Sequence, residues 1–382
     1  MGERVSHRIV LLTGASGTLG VELAAGFRAR GYGVVALLHQ ATTLTTNYRR
    51  RLPAKPFTGD APRPGEIVCI RGDITAERLG LDAAEYLQLL TCTNLIVHCA
   101  AITEFGKPAA LYEAVNIDGT RQVVNFSLGN PYPIPFLHIS TAYVCGRAHG
   151  TILEKSTEVA PAFSNDYERS KFAAENLVLS ARDAGMPAAI VRPSIIVGRQ
   201  RTGAIRDFAN IYVVLRLLTQ GKVRTVPADY GTSIDLVAVD YVADVVFEVA
   251  ARLRECNGRI YHAIGTAPFT LRDISDVIAE YPAFQLPRLI PPQNFDKSAL
   301  DRRERQYYDN VIRLYEPYLR GNFAFDDRCA RALVRRSGNL TPEAFLRRIL
   351  NYATRVGYLG RPATTDRLPP GLEPTATSVS LP

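Results

Sequence analysis

The chain has 382 residues, 47% of them hydrophobic, enough to bury a large core in one domain or two unequal ones. Its net charge of +8 comes without any basic run interleaved with aromatics, which argues against a nucleic-acid partner and suits an anionic small ligand. No apolar run approaches the roughly 20 residues of a membrane span. The start does not read as a secretory signal. Six scattered cysteines give no C-x-x-C pair and no Cys/His set at metal spacing, so a cytoplasmic, reducing setting without a metal site is expected.

Residues 9–12 read as a short buried strand, and Leu19, Leu23 and Phe27, four apart, as one face of a helix. Between them lies Thr13-Gly14-Ala15-Ser16-Gly17-Thr18-Leu19-Gly20. A strand, three glycines and a helix opening form the arrangement that seats a dinucleotide diphosphate. Gly14 permits the tight turn, Gly17 lets the backbone approach the phosphates, and Gly20 lets helix and strand pack closely. The free N–H groups and dipole of the helix N-terminus then hold the negative charge. A bland glycine turn is the competing reading, and the motif's place at the first strand of a long α/β pattern disfavours it.

Gly31 stops that helix, and residues 33–38 form a second strand. Residues 42–65, rich in Thr, Arg, Pro and Gly, look like a long loop. Residues 67–70 are a third strand, ending in Arg71-Gly72-Asp73-Ile74-Thr75. Residues 95–97 are a fourth, followed by His98-Cys99-Ala100-Ala101. A helical pattern covers 111–128, and a fifth strand at 135–139 runs into Ser140-Thr141-Ala142-Tyr143. Residues 166–181 are a helix, and 188–191 a sixth strand before Arg192-Pro193-Ser194. This alternation predicts an α/β fold with a doubly wound parallel sheet.

Past residue 200 the spacing predicts a helix over 208–219, an extended segment over 233–239, a helix capped by Asp240 and running to 253, and a late strand at 260–264. From 270 onward the chain reads as mostly helical. The expected division is a dinucleotide-binding domain of residues 1–200 plus about 233–265, and a smaller helical substrate-binding lid of about 201–232 plus 266–362. The Pro/Thr/Ser-rich residues 363–382 read as a disordered tail.

Tyr167 and Lys171 stand four apart in a helix, so their side chains share one face. A phenol ordinarily ionises near pH 10, and an ammonium one turn away favours the phenolate. The same lysine can hydrogen-bond the ribose of a nicotinamide nucleotide. Ser140 and Thr141 sit at the carboxyl end of a strand, where doubly wound sheets place their ligands. A hydroxyl there can hold a substrate carbonyl while hydride arrives at its carbon; a simple cap on the next segment is the alternative. Cys145, without a matched base, reads as packing. After the second strand comes His39-Gln40, and no Asp or Glu occurs from Leu23 to Gly59. An acidic residue there would favour NAD, so NADPH is expected, with Arg49, Arg50 or Arg51 facing its 2′-phosphate.

Thr13-Gly14-x-x-Gly17-x-x-Gly20, Gly72-Asp73, Ser140-Thr141-x-Tyr143-x-x-Gly146 and Tyr167-x-x-x-Lys171 together resemble the extended short-chain dehydrogenase/reductases, over roughly residues 8–265. Val97-His98-Cys99-Ala100-Ala101, Val115-Asn116-Ile117-Asp118-Gly119-Thr120 and Val191-Arg192-Pro193-Ser194-Ile195-Ile196-Val197-Gly198 look like the thioester reductase and fatty acyl-CoA reductase branch. The resemblance implies a Rossmann-type fold with a smaller, mostly helical C-terminal substrate-binding domain. It implies that Tyr167 donates a proton, Lys171 lowers its pKa and Thr141 binds the reacting carbonyl. It places Asp73 near the adenine with Ile74 beside it, Ala100 and Ala101 along the cofactor groove, and Pro193 and Ser194 beside the nicotinamide. Ser16, Thr18 and Leu19 of the glycine loop are further cofactor contacts, and His39 stands where this branch often has an arginine. Asn116 is expected to be a structural hydrogen-bonding residue.

The activity so implied is NADPH-dependent reduction of an acyl thioester, carried by coenzyme A or a carrier protein, to an aldehyde or on to an alcohol. Ala142-Tyr143 stands where the superfamily's sugar dehydratases place an acidic pair, which argues against elimination. A ketone, sterol or nucleotide-sugar reductase or epimerase stays open as an alternative, as does a non-catalytic NADP-binding regulator.

Overall fold

A computed structural model describes residues 8–156, 160–321, 323–335 and 340–360; the expected tail at 363–382 lies outside the described residues. Eight strands form one parallel sheet: β1 (Ile9–Thr13), β2 (Gly33–Leu38), β3 (Lys55–Pro56), β4 (Ile67–Arg71), β5 (Leu95–His98), β6 (Phe136–Ile139), β7 (Ala188–Pro193) and β8 (Ile260–Ala263). Their order is 8-7-6-5-1-2-4-3. In β1, β2, β5, β6, β7 and β8 every residue is buried. Continuous apolar runs are what a sheet covered on both faces requires. The order reverses at β1, which pairs with β2 on one side and β5 on the other, so a crevice opens at the carboxyl ends of β1 and β5.

On one face lie α1 (Thr18–Ala29) and, further along the chain, the helix Val239–Ala251 packed against it. Gly26 makes that contact: a Cβ there would stand 2.0 Å from the Phe247 ring. On the other face α2 (Gly119–Leu128) and α3 (Asp166–Asp183) bury Val123, Phe126 and Val178. The C-terminal part adds helices Ile211–Thr219, Leu271–Ala279 and Pro342–Arg355. A Rossmann-type sheet with a smaller, mostly helical C-terminal region is thus the architecture.

Several details differ from the sequence reading. The stretch 42–65 carries a hairpin pair, Leu44–Thr45 with Arg51–Leu52, and then β3, which extends the main sheet beside β4. Two-residue strands are too short to leave a period-2 signal. Asp240 is not a cap. The helix starts at Val239 behind Ala238, and the Asp240 carboxylate in its first turn accepts the Gln200 N–H at 2.9 Å. The helix expected from 208 begins at Ile211, because Asn210 takes a positive φ of 51° that helical residues do not adopt. The C-terminal region also contains strands: Arg288–Ile290 pairs with Thr225–Pro227, and Phe323–Phe325 with Gly150–Ile152.

Polar groups in the core are paired in most places. Arg192 of β7 and Glu175 of α3 form an ion pair only 2–3% exposed, with Nε to Oε2 at 3.0 Å. Among the described residues three histidines are buried: His98 1%, His138 0% and His262 0% exposed. Burial holds all three neutral, His98 down to about 3 and His262 to about 4, with the Lys171 and Arg192 charges acting in the same direction on His98 and His262 respectively. His138 lies well below the usual range for the same reason. In the unfolded chain these rings take a proton near pH 6.5. Stability from their burial is therefore complete above that pH and lost as pH falls toward 4, at about 1.4 kcal/mol per pH unit for each ring. Urea midpoints are expected to fall steeply between pH 6.5 and 4.5. His138→Leu removes a ring without a hydrogen-bond partner and should flatten that slope by about a third; a pH-independent midpoint would refute the assignment.

Candidate active site

β1 ends at Thr13, and Gly14 turns the chain with φ of 69°. A Cβ on Gly14 would lie 2.6 Å from the Ala100 nitrogen, and one on Gly20 1.9 Å from the Gly14 carbonyl oxygen. The turn, the helix and the segment after β5 are thus in direct backbone contact. Thr13 Oγ1 accepts N–H bonds from Cys99 and Ala100, both at 3.2 Å, and pairs with His98 Nδ1 at 2.8 Å. Gly17, the N-cap of α1, brings no capping side chain and there is no acidic residue in the first turn. The orphan N–H groups of α1 are therefore available to an anion. Arg206 braces the loop from outside, donating to the Ser16 carbonyl at 2.6 Å and the Thr45 carbonyl at 2.7 Å.

At the end of β6, Thr141 caps the 3-10 turn Ala142–Cys145, accepting the Tyr143 N–H at 3.3 Å. It also donates to the Pro193 carbonyl at 3.4 Å and hydrogen-bonds the Tyr167 phenol. The cap and the ligand-facing hydroxyl are one and the same group. Lys171, one turn along α3 from Tyr167, is 2% exposed, and its Nζ donates to the Ile139 carbonyl at 2.7 Å. Burial pulls the Lys171 ammonium down to about 8. Burial also raises the Tyr167 phenol, against the pull of its bond to Thr141. Desolvation is the largest influence on the phenol, and the net effect is upward. A raised phenol keeps its proton at neutral pH, which is the form a proton donor needs.

One cavity of about 280 Å³ collects most of the residues singled out in the sequence. Gly14, Gly17, Thr18, Leu19 and Gly20 line one end, and Ala101, Lys171, Pro193 and Ser194 the middle, with Thr141 and Tyr167 facing them. His39 lies elsewhere, in a second cavity of about 300 Å³ beyond the ends of β2 and β4, with Arg51, Lys55 and Arg71. Four expected contacts line neither cavity. The Asp73 carboxylate accepts the Thr75 N–H at 2.9 Å and its hydroxyl at 2.8 Å, and lies 3.5 Å from His39 Nε2. Ile74 is buried against Gly119. Ala100 spends its N–H on Thr13, and Ser16 offers only its carbonyl, to Arg206. Arg49 turns toward Phe208, 5.9 Å from the ring, and donates to the Arg206 carbonyl at 3.3 Å, so of the three arginines only Arg51 lines the second cavity.

Asn116 is pinned between Ile102 N–H (2.8 Å), the Ile102 carbonyl (3.1 Å) and Ser170 Oγ (2.9 Å), a structural role as expected. Sequence reasoning missed Cys99, Phe105, Asn210, Tyr315 and Tyr318, all of which line the main cavity. Cys99 had a usable signal, its place beside Ala100; burial pushes its thiol to about 11. Among the described residues no group of three or more His, Cys, Asp or Glu stands as a metal site, and no helix is long and apolar enough to cross a membrane.

A family model described as Male sterility protein matches residues 12–246. The chain is 26% identical over 277 residues to the isonitrile lipopeptide synthase of Streptomyces coeruleorubidus, covering 71% of this chain but only 18% of that protein. Its fold is similar to the terminal R domain from the myxalamid PKS-NRPS biosynthetic pathway, with a TM-score of 0.73 at 22% identity over 92% of each chain. It is also similar to UDP-glucuronic acid 4-epimerase from Bacillus cereus, with a TM-score of 0.64 at 19% identity over 93% of this chain and 99% of that one. Fold alone therefore does not select the reaction.

Gly20→Ala tests the backbone contact on which the site is built. The added methyl would sit 1.9 Å from the Gly14 oxygen, so the helix must shift at a cost of roughly 1–3 kcal/mol. Urea unfolding should show that loss, and fluorescence titration should show nicotinamide dinucleotide binding weakened by about tenfold or more. Unchanged binding would mean that the nucleotide does not sit on this turn.

Proposed function

The chain belongs to the Male sterility protein family, of the extended short-chain dehydrogenase/reductase type, and on that premise we propose that it is an NADPH-dependent reductase of an acyl thioester. One observation carries the reading: Thr141, Tyr167 and Lys171 open into the same cavity as the glycine turn and the uncapped start of α1. The α1 N–H groups suit a diphosphate, and the buried Lys171 ammonium suits a ribose hydroxyl. We read residues up to about 200 with 233–265 as the unit that holds the nucleotide, and the remainder as the lid over the substrate.

The nicotinamide, when bound, supplies the hydride. The protein's part is to hold the thioester carbonyl between the Thr141 and Tyr167 hydroxyls, which stabilise the oxygen as charge develops on it. Tyr167, kept protonated by burial, passes its proton to that oxygen. The resulting hemithioacetal loses thiol and leaves an aldehyde. Among the described lining residues only Lys171 and Asp207 are charged. No arginine is present there to take the diphosphate of a nucleotide-sugar, which disfavours the epimerase alternative. The fold likeness to a thiolation-reductase di-domain of an archaeal non-ribosomal peptide synthetase supports a carrier-tethered thioester.

For the cofactor's 2′-phosphate we assign Arg51 and Arg71, which share the second cavity with His39. Lys55 is committed to Glu66 at 2.5 Å, and no carboxylate lines that cavity. Arg51→Ala should raise the KM for NADPH about tenfold and leave NADH turnover unchanged. If NADH already equals NADPH in kcat/KM, the cofactor assignment fails.

The reaction itself is tested by NADPH oxidation with acyl-CoAs, carrier-bound acyl chains, aldehydes and ketones. Tyr167→Phe should lower kcat by about 10²–10⁴-fold with NADPH affinity nearly unchanged. A variant that keeps most of its rate would remove Tyr167 as the proton donor.

A further inference from the structure

Beside Thr141 and Tyr167 the main cavity is lined by two kinds of apolar side chain. Ile195, Ile196, Ile211, Val214 and Ile234 supply the aliphatic ones. Phe105, Tyr143, Tyr315 and Tyr318 supply an aromatic block. The Phe105 ring lies parallel to Tyr318, 5.3 Å away at 6°, and tilts against Tyr315 at 5.1 Å and Tyr167 at 5.7 Å. Tyr318 meets Tyr143 edge-on at 4.9 Å and 77°. The block thus touches both the proton donor and the turn that carries Thr141.

What fixes this block is a buried carboxylate. Glu168, the neighbour of Tyr167, is 2% exposed. Its Oε1 accepts the Tyr318 hydroxyl at 2.6 Å and its Oε2 the Ser164 N–H at 2.8 Å. Asn165, the cap of α3, donates to the Tyr318 oxygen at 2.9 Å and accepts the Glu168 N–H at 2.9 Å. A ring from the C-terminal region is therefore fastened to the first turn of the helix that bears Tyr167 and Lys171. Charge-assisted bonds to a buried carboxylate are among the stronger ones available.

We propose that Phe105 and Tyr318, fixed by Glu168 and Asn165, determine specificity, and that they admit an acyl group uncharged and apolar next to the reacting carbonyl. The proposal rests on the thioester reading above. Against these aliphatic and aromatic side chains a carboxylate on the acyl chain would lose its water at a cost. An alkyl or aryl group instead gains contact with them.

The test uses hexanoyl-CoA, phenylacetyl-CoA and succinyl-CoA, with hexanal, phenylacetaldehyde and succinic semialdehyde in parallel. The wild-type protein should prefer the two apolar thioesters over the succinyl one by about 100-fold or more in kcat/KM. Tyr318→Ala should cost the apolar substrates about tenfold, mostly in KM, and leave succinyl-CoA within about twofold. Tyr318→Leu keeps apolar volume; it should retain selection against succinyl-CoA and lose any preference for phenylacetyl over hexanoyl, and it decides the matter should the alanine variant not fold. Tyr318→Phe keeps the stack, so KM should hold while kcat drops about fivefold, because Glu168 loses its hydroxyl partner beside Tyr167.

Succinyl-CoA turned over as well as hexanoyl-CoA by the wild type would overturn the proposal, as would an unchanged ranking in both Tyr318→Ala and Tyr318→Leu. If the aldehydes keep the expected order while no thioester reacts, the thioester reading falls and the pocket assignment stands. Charged and apolar aldehydes reduced alike would remove the pocket assignment alone, and turnover of neither series would remove both.

Discussion

The close backbone contact among Gly14, Gly20 and the segment after β5 is the constraint from which the rest of the site follows. Side chains at either glycine would separate α1 from the sheet, since their Cβ atoms would fall 1.9 to 2.6 Å from neighbouring backbone. Thr13 converts that contact into a fixed register by bonding both Cys99 and Ala100. Because its oxygen accepts two amides, its own hydrogen goes to His98 Nδ1. His98 Nε2 then donates to Thr120, whose hydroxyl donates to the Asn116 carbonyl at 2.6 Å. A single directed chain of hydrogen bonds thus links the glycine turn ahead of α1 to the segment after β5 and on to Asn116.

The same core explains why the titrating groups behave as they do. Lys171, Tyr167, His98 and His138 are buried in the same part of the core, and burial biases each toward its neutral form. On the reading proposed above, such a preorganised site would stabilise charge where it appears during reaction, at a carbonyl oxygen facing Thr141 and Tyr167.

Much of this was legible in the sequence, for local reasons. The glycine turn, the strands and the Tyr167/Lys171 pair are each specified by residues within a few positions of one another, and the structure brings them to one cavity. What Asp73 and Ala100 bond to within the chain was not legible, because a motif gives position along the chain and not where a short side chain spends its hydrogen bonds. The burial that dominates at Tyr167 is a tertiary property and left no mark in the sequence. Phe105 and Tyr318 were invisible for the same reason: two aromatic residues more than 200 positions apart have no shared periodicity, and only the return of the C-terminal segment stacks them.

The division of labour between the two parts of the chain follows from these contacts. On the reading proposed above, Thr141, Tyr167 and Lys171 would serve hydride transfer to any carbonyl, so they say little about the substrate. Selection falls to what the apolar lining excludes, and that lining is supplied largely from residues after 190. Glu168 joins the two parts, because the carboxylate next to Tyr167 also holds the Tyr318 ring from the C-terminal region. On the proposed reading, a substrate that moves Tyr318 would act on the position of Tyr167 through a single intervening residue, and poor fit there would be felt as poor placement of the proton.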